Sequence, residues 1–114
     1  MHELSIAMSI VEMATEEVAR QGAAQVNTVY LKLGALSGVV KEALLFSYYI
    51  ACEDTPLAGS HLLIEEMPIV VYCEPCRKER TLASTHHFFC PVCATPTAEV
   101  LHGRELEVTA LEVQ

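Results

Sequence analysis

The chain has 114 residues, 52% of them apolar and 19% charged, enough for one folded domain with a real core and too apolar for a disordered tail. Its formal net charge is −8, a field that repels polyanions on average, so nucleic acid is not an expected partner. Arg77, Lys78 and Arg80 form the one basic cluster, and three charges are few for such a role. No apolar run approaches the roughly 18 residues that a membrane span needs. The first twenty residues carry Glu3, Glu12, Glu16 and Glu17 without a basic opening, so no leader is expected and the location is read as cytoplasmic.

The first predicted element is a helix from Leu4 to Arg20. Leu4, Ala7, Val11, Ala14 and Val18 recur at three- and four-residue spacing, and Ile6, Ile10 and Met13 widen the stripe. Glu12, Glu16, Glu17 and Arg20 fall largely on the other side, and Gly22 is the expected stop. Val26 to Leu33 alternates, with Val29, Leu31 and Leu33 on one face, and reads as a strand. Gly34 and Ser37-Gly38 punctuate its end.

A second helix is expected from about Val40 to Cys52, with Val40, Leu44 or Leu45, Tyr48 and Cys52 as its buried stripe. After the loop marked by Pro56 and Gly59, Leu62 to Tyr72 reads as a strand, Pro68 indicating an edge position or a bulge. Residues 73 to about 102 show little periodicity and hold three of the five prolines. Such a segment lacks the apolar content for a core of its own and needs a metal to hold it. A last strand, roughly Arg104 to Val113, places Leu106 and Val108 on one face and Leu111 and Val113 on the other, which calls for a bulge or burial on both sides.

This order gives an α+β fold: two helices on a three-stranded mixed sheet, with a four-cysteine zinc-ribbon-like module inserted between the last two strands. The corresponding domains are 1–72 plus 103–114, and 73–102.

The chemistry concentrates at two places. Cys73-Glu74-Pro75-Cys76 and Cys90-Pro91-Val92-Cys93 are two C-x-x-C pairs separated by 13 residues. Each two-residue spacing presents both sulfurs to one ion, and two such turns complete a tetrahedron, which suits structural zinc. Four thiolates leave no open position for water or substrate. A redox pair would instead open a helix after a strand, and the doubled arrangement argues against it. Arg77 and Ala94 stand just after the second cysteine of each pair, where glycine would ease a positive φ, so some distortion of the turns is expected. His86 and His87 could ligate a metal weakly at the module's edge, support a thiolate, or face water. Cys52 is read as a small core residue.

The second place is Met1-His2-Glu3-Leu4-Ser5. The α-amine of Met1, the amide and imidazole of His2, and the amide or carboxylate of Glu3 can form fused chelate rings. Nitrogen-rich, near-planar sets of this kind suit Ni(II) or Cu(II). The first N–H groups of a helix lack intrahelical acceptors, so ligation there breaks no backbone ladder. A histidine near a chain end can equally be a solvated side chain. No triad, carboxylate pair or G-x-x-x-x-G-K-[ST] run points to catalysis, so the chain is not read as an enzyme.

Taken together, Met1-His2-Glu3-Leu4-Ser5, Leu33-Gly34 with Leu36-Ser37-Gly38, Glu42-Ala43-Leu44 with Phe46, Leu62 to Pro68 ending Glu65-Glu66-Met67-Pro68, the four paired cysteines and Gly103-Arg104-Glu105-Leu106 resemble the HypA/HybF family of hydrogenase nickel incorporation proteins. The likeness runs over essentially the whole chain. It implies a nickel-binding domain joined to a zinc domain, with His2 as the nickel ligand, Glu3 matching the acidic residue after it, and the four cysteines holding zinc. It further implies nickel as cargo for [NiFe] hydrogenase, with urease as a client of some members. The implied partners are a HypB-type nickel-binding GTPase and the hydrogenase large-subunit precursor, and the chain is expected as a monomer or homodimer. Glu12, Glu16 and Glu17 on the polar face of the first helix are candidate GTPase contacts, or simply a solvated face.

Overall fold

The computed structural model describes residues 2–114, and among them are two helices and six strands. They divide into two compact units. The first comprises the residues up to Leu31, Gly38–Glu65 and Glu107–Gln114; the second comprises Lys32–Ser37 and Glu66–Leu106. The second unit therefore takes in more chain than residues 73–102.

In the first unit, α1 spans Glu3–Gln21 and buries Ala7, Ile10, Val11, Ala14 and Val18, the stripe set by the apolar spacing. Gly22 ends it in the left-handed region at φ 67°, where its N–H bonds to the Ala19 carbonyl and that of Ala23 bonds to Val18. This pair of bonds satisfies carbonyls that the helix end would otherwise leave open. After β1 (Val26–Gly34), α2 spans Lys41–Cys52 and buries Leu44, Tyr48 and Cys52 at four-residue spacing. Val40, expected in that stripe, is 56% exposed because it is the N-cap residue and precedes the helical face.

The first sheet is mixed and has the order β2-β1-β6, with β2 at His61–Met67 and β6 at Leu106–Val113. The chain passes from β1 through α2 to its neighbour β2, the usual way of joining strands across a helix. Val108, Leu111 and Val113 all pack against the core, so residues of both parities in β6 contribute, as expected. The core is Ala7, Ile10, Val11, Ala14, Val18, Val26, Val29, Leu31, Leu44, Tyr48, Cys52, Leu57 and Leu62. Its polar members are paired: the Tyr48 hydroxyl lies 2.7 Å from Ser60 Oγ, and the Cys52 sulfur lies 3.9 Å from the same oxygen.

The expected strand from Leu62 to Tyr72 is in fact two. Pro68 has no N–H to continue a ladder, and at this residue the chain leaves the first sheet. β3 (Ile69–Cys73) is the central strand of a second sheet, antiparallel throughout, with β4 (Lys78–Leu82) and β5 (Val100–His102) at its sides. Its core is small: Ile69, Val71 and Leu82, flanked by Leu36, Phe88 and Val100.

Two glycines of the second unit are required by backbone contact. A Cβ on Gly34 would lie 2.1 Å from the Gly103 carbonyl oxygen, and Gly103 itself sits at φ 127°. The close approach lets Gly34 N–H bond Glu105 O at 2.7 Å and Leu36 N–H bond Gly103 O at 2.6 Å. The Glu105 carboxylate accepts from Gly103 N–H at 2.7 Å and faces His102 Nδ1 at 3.2 Å.

Candidate metal centre

The first cysteine pair is the turn of the β3–β4 hairpin. Cys73 closes β3 opposite Lys78, so Cys73-Glu74-Pro75-Cys76-Arg77 reverses the chain, tied by the Arg77 N–H to the Glu74 carbonyl at 3.2 Å. The second pair lies in a loop closed by a bridge between Phe89 and Pro96 and by Thr97, whose N–H and hydroxyl both reach the Phe88 carbonyl. Within it, Cys90 N–H bonds Thr95 O and Ala94 N–H bonds Cys90 O, each at 2.8 Å.

These two turns bring all four sulfurs within 4.8 Å of one another. Cys73 and Cys90 are buried, Cys76 is half-buried and Cys93 is exposed. Cys73 lies 3.5 Å from Cys93 and Cys76 lies 4.0 Å from Cys90, each contact running between the pairs rather than within one. A disulfide needs about 2.05 Å, and all four cysteines are free. Four thiolates bound at about 2.3 Å around a tetrahedral ion stand about 3.8 Å apart, and the observed separations straddle that value.

The local electrostatics favour a cation. The Cys93 N–H holds the Cys90 thiol down at about 6, against the effect of burial and with help from the Val92 N–H. Thr95, whose hydroxyl oxygen lies 3.2 Å from the Cys93 sulfur, lowers Cys93. At Cys73 the Cys76 N–H acts to lower the thiol, yet burial and the three sulfurs around it push it up to about 12. Four sulfurs so close cannot all ionise unaided, and a divalent ion at their centre removes the conflict.

Arg77 and Ala94 occupy the left-handed region at φ 52° and 63°, so both turns hold the shape that glycine would give without strain. Two neighbours were not legible as site residues. One is Thr95; the other is Arg80, grouped by sequence with Arg77 and Lys78 as a basic cluster. Its guanidinium is instead half-buried, and the Cys76 and Cys90 sulfurs hold it above its ordinary range.

The other expected site residues are dispersed. His86 and His87 are exposed and are not among the four clustered donors. In the first unit, His2 is the N-cap of α1; its carbonyl accepts from Ile6 N–H at 3.2 Å, and its exposed side chain makes no capping bond. Glu3 opens the first turn, and its carboxylate accepts from Val40 N–H at 3.3 Å, capping α2 from another helix. That bond holds the Glu3 carboxyl below the usual range. The Met1 amine lies outside the described residues. Glu17 is bonded by Arg20 and Gln21 on the exposed side of α1.

A family described as hydrogenase/urease nickel incorporation, metallochaperone, matches residues 1–113. The chain belongs to the HypA family. It is 52% identical to the hydrogenase maturation factor HypA of Chloroflexus aurantiacus over 112 residues, covering 98% of each chain. It is 39% identical to that of Chlorobaculum parvum over the full length of both. The solution structure of the Ni metallochaperone HypA from Helicobacter pylori shares the fold at TM-score 0.66 and 19% identity, over 99% of this chain and 97% of that one. A further HypA solution structure gives TM-score 0.72, also at 19% identity, over 100% of this chain and 97% of that one. Among the described residues no helix is long and apolar enough to cross a membrane.

Proposed function

We propose that this chain is a nickel carrier: it binds Ni(II) at its N-terminus and delivers it for maturation of [NiFe] hydrogenase, with urease as a second client class. In this reading it is no enzyme, and zinc held by Cys73, Cys76, Cys90 and Cys93 is structural. The observation that carries the nickel site is His2. In a HypA-family chain, its imidazole stands exposed and uncapped at the first turn of α1, beside backbone N–H groups that have no helical acceptor.

The His2 imidazole and amide, with the Met1 amine, form the proposed donor set, and Glu3 adds its amide. The Glu3 carboxylate already caps α2, so we assign it first to holding the N-terminal turn in place and only second to the metal. A helix N-terminus disfavours a cation, which keeps affinity moderate and release possible. The nickel domain is assigned to residues 1–72 plus 103–114, and the zinc domain to 73–102. The receiving partners are a HypB-type GTPase and the hydrogenase large-subunit precursor. His86 and His87 are assigned no more than an accessory role.

Titration with Ni(II) beside separate zinc analysis tests this. The native chain should take up about one nickel per chain in a nitrogen-rich site, while zinc content stays constant. His2→Ala should abolish nickel uptake and leave zinc and fold unchanged, and His86→Ala with His87→Ala should cost far less. Nickel binding by His2→Ala at native strength would remove the proposed site.

A further inference from the structure

The four sulfurs of the metal centre are not equally reachable. Cys73 and Cys90 are buried and Cys76 is half-buried, whereas Cys93 is exposed. The exposed sulfur lies 3.5 Å from that of Cys73, which is 0% exposed and closes β3. Thr95 places its hydroxyl oxygen 3.2 Å from the same exposed sulfur. Cys93 stands 20 residues beyond Cys73, so this contact joins the β3–β4 hairpin to the second turn. An accessible sulfur with a second one close behind it is an arrangement in which oxidation of the first is resolved by the second.

We propose that Cys93 is a modification site for peroxides, and that Cys73 resolves the oxidised sulfur in a disulfide that opens the metal centre. This rests on the reading of the four cysteines as a zinc site. The Cys93 thiolate attacks a peroxide oxygen, the O–O bond breaks, and hydroxide leaves, so the sulfur becomes a sulfenic acid. The Cys73 thiolate then attacks that sulfur; the S–S bond forms as the S–O bond breaks, and a second hydroxide leaves. Each sulfur has lost one electron, the peroxide has gained both, and two protons from solvent turn the hydroxides into water. The sulfurs close from 3.5 Å to about 2.05 Å, a movement that rotation of the exposed Cys93 side chain can supply. Only Cys76 and Cys90 then remain as thiolates, and two ligands hold a tetrahedral ion far more weakly than four. This chemistry links the two turns, unlike that of a redox C-x-x-C, whose disulfide forms within one pair.

The test treats the zinc-loaded full chain with graded hydrogen peroxide. It reads zinc released to a chromogenic chelator and disulfides mapped by mass spectrometry of unreduced peptides. The first disulfide should join Cys73 to Cys93, and one zinc should leave for each such disulfide formed. Dimedone, which captures sulfenic acids, should label Cys93 before any other cysteine. Cys52, buried in the first unit beside Ser60, should stay reduced and serves as the internal control. A first disulfide of any other pairing overturns the proposal, and so does first labelling at another cysteine. Retention of zinc and of every thiol at peroxide levels that consume free N-acetylcysteine overturns it as well. Pairing is read on the native sequence, so the outcome does not depend on any variant folding. A native chain that holds no zinc before peroxide is added would instead bring down the zinc reading, and the order of pairing is then read on the reduced, metal-free chain.

Discussion

The two units reach order by different means. The first holds thirteen buried residues in one apolar cluster drawn from both helices, the strands and the Leu57 loop; the apolar cluster of the second holds three, Ile69, Val71 and Leu82. Three aliphatic side chains contribute roughly 5–9 kcal/mol. Binding of a structural zinc ion in small peptides contributes roughly 10–16 kcal/mol. A zinc ion held by the four cysteines would therefore outweigh the core cluster of the second unit, whereas the first is held by its larger one. The difference explains why a two-sheet protein of this size concentrates its cysteines where its apolar residues are fewest.

The comparison breaks most sharply at Cys73, which is fully buried and belongs both to β3 and to the metal centre. Cys73→Ala should release the metal and remove amide protection throughout β3, β4 and β5. Protection in α1 and α2 should persist. Hydrogen exchange read strand by strand checks this, and an ordered second sheet with metal still bound would show that its own core suffices.

The converse perturbation is smaller. Leu44 is 0% exposed in the first core, so Leu44→Ala should cost about 2–5 kcal/mol through lost burial and the cavity left behind. Protection in α1 and α2 should drop accordingly, while the affinity of the four cysteines for zinc should change little. A matching loss of zinc would mean that the two units share their stability, and the contrast between them would fall.

The same contrast governs how much the sequence reveals. α1 and α2 were legible because their burial is periodic along the chain, and Gly22 marked the end of α1 because only its left-handed φ closes the helix. The four cysteines were legible because turn geometry fixes the spacing of two sulfurs on one ion. β4 was not, because Lys78, Glu79 and Thr81 face water and Arg80 is charged, which leaves Leu82 as its one buried apolar residue. A three-residue strand such as β5 has too little length to show alternation. Pro68 indicates an edge position or a bulge, but that it carries the chain from one sheet to another depends on partners far along the sequence. For Arg80, a charge pattern alone favours a solvated cluster; only the folded hairpin half-buries it opposite Val71.

The finest test concerns strain within the metal-dependent unit. Arg77 and Ala94 hold left-handed φ without being glycine, which costs each about 1 kcal/mol or slightly more. The cost is borne because Ala94 N–H must reach Cys90 O, and Arg77 N–H must reach Glu74 O, for the turns to present their sulfurs. Ala94→Gly removes the clash and loses only a methyl from the turn, though glycine also gives the unfolded chain more freedom. The balance should favour the folded, metal-bound form by about 1 kcal/mol, or roughly fivefold in apparent zinc affinity. Arg77→Gly should act in the same direction, less cleanly because it also removes a charge. Ala94→Val should act oppositely, since a branched side chain tolerates positive φ poorly. Because the first unit has no part in this strain, protection of α1 and α2 should be the same in all three variants. A neutral or weaker-binding Ala94→Gly would mean that the turn has relaxed by another route and that its backbone carries no usable strain.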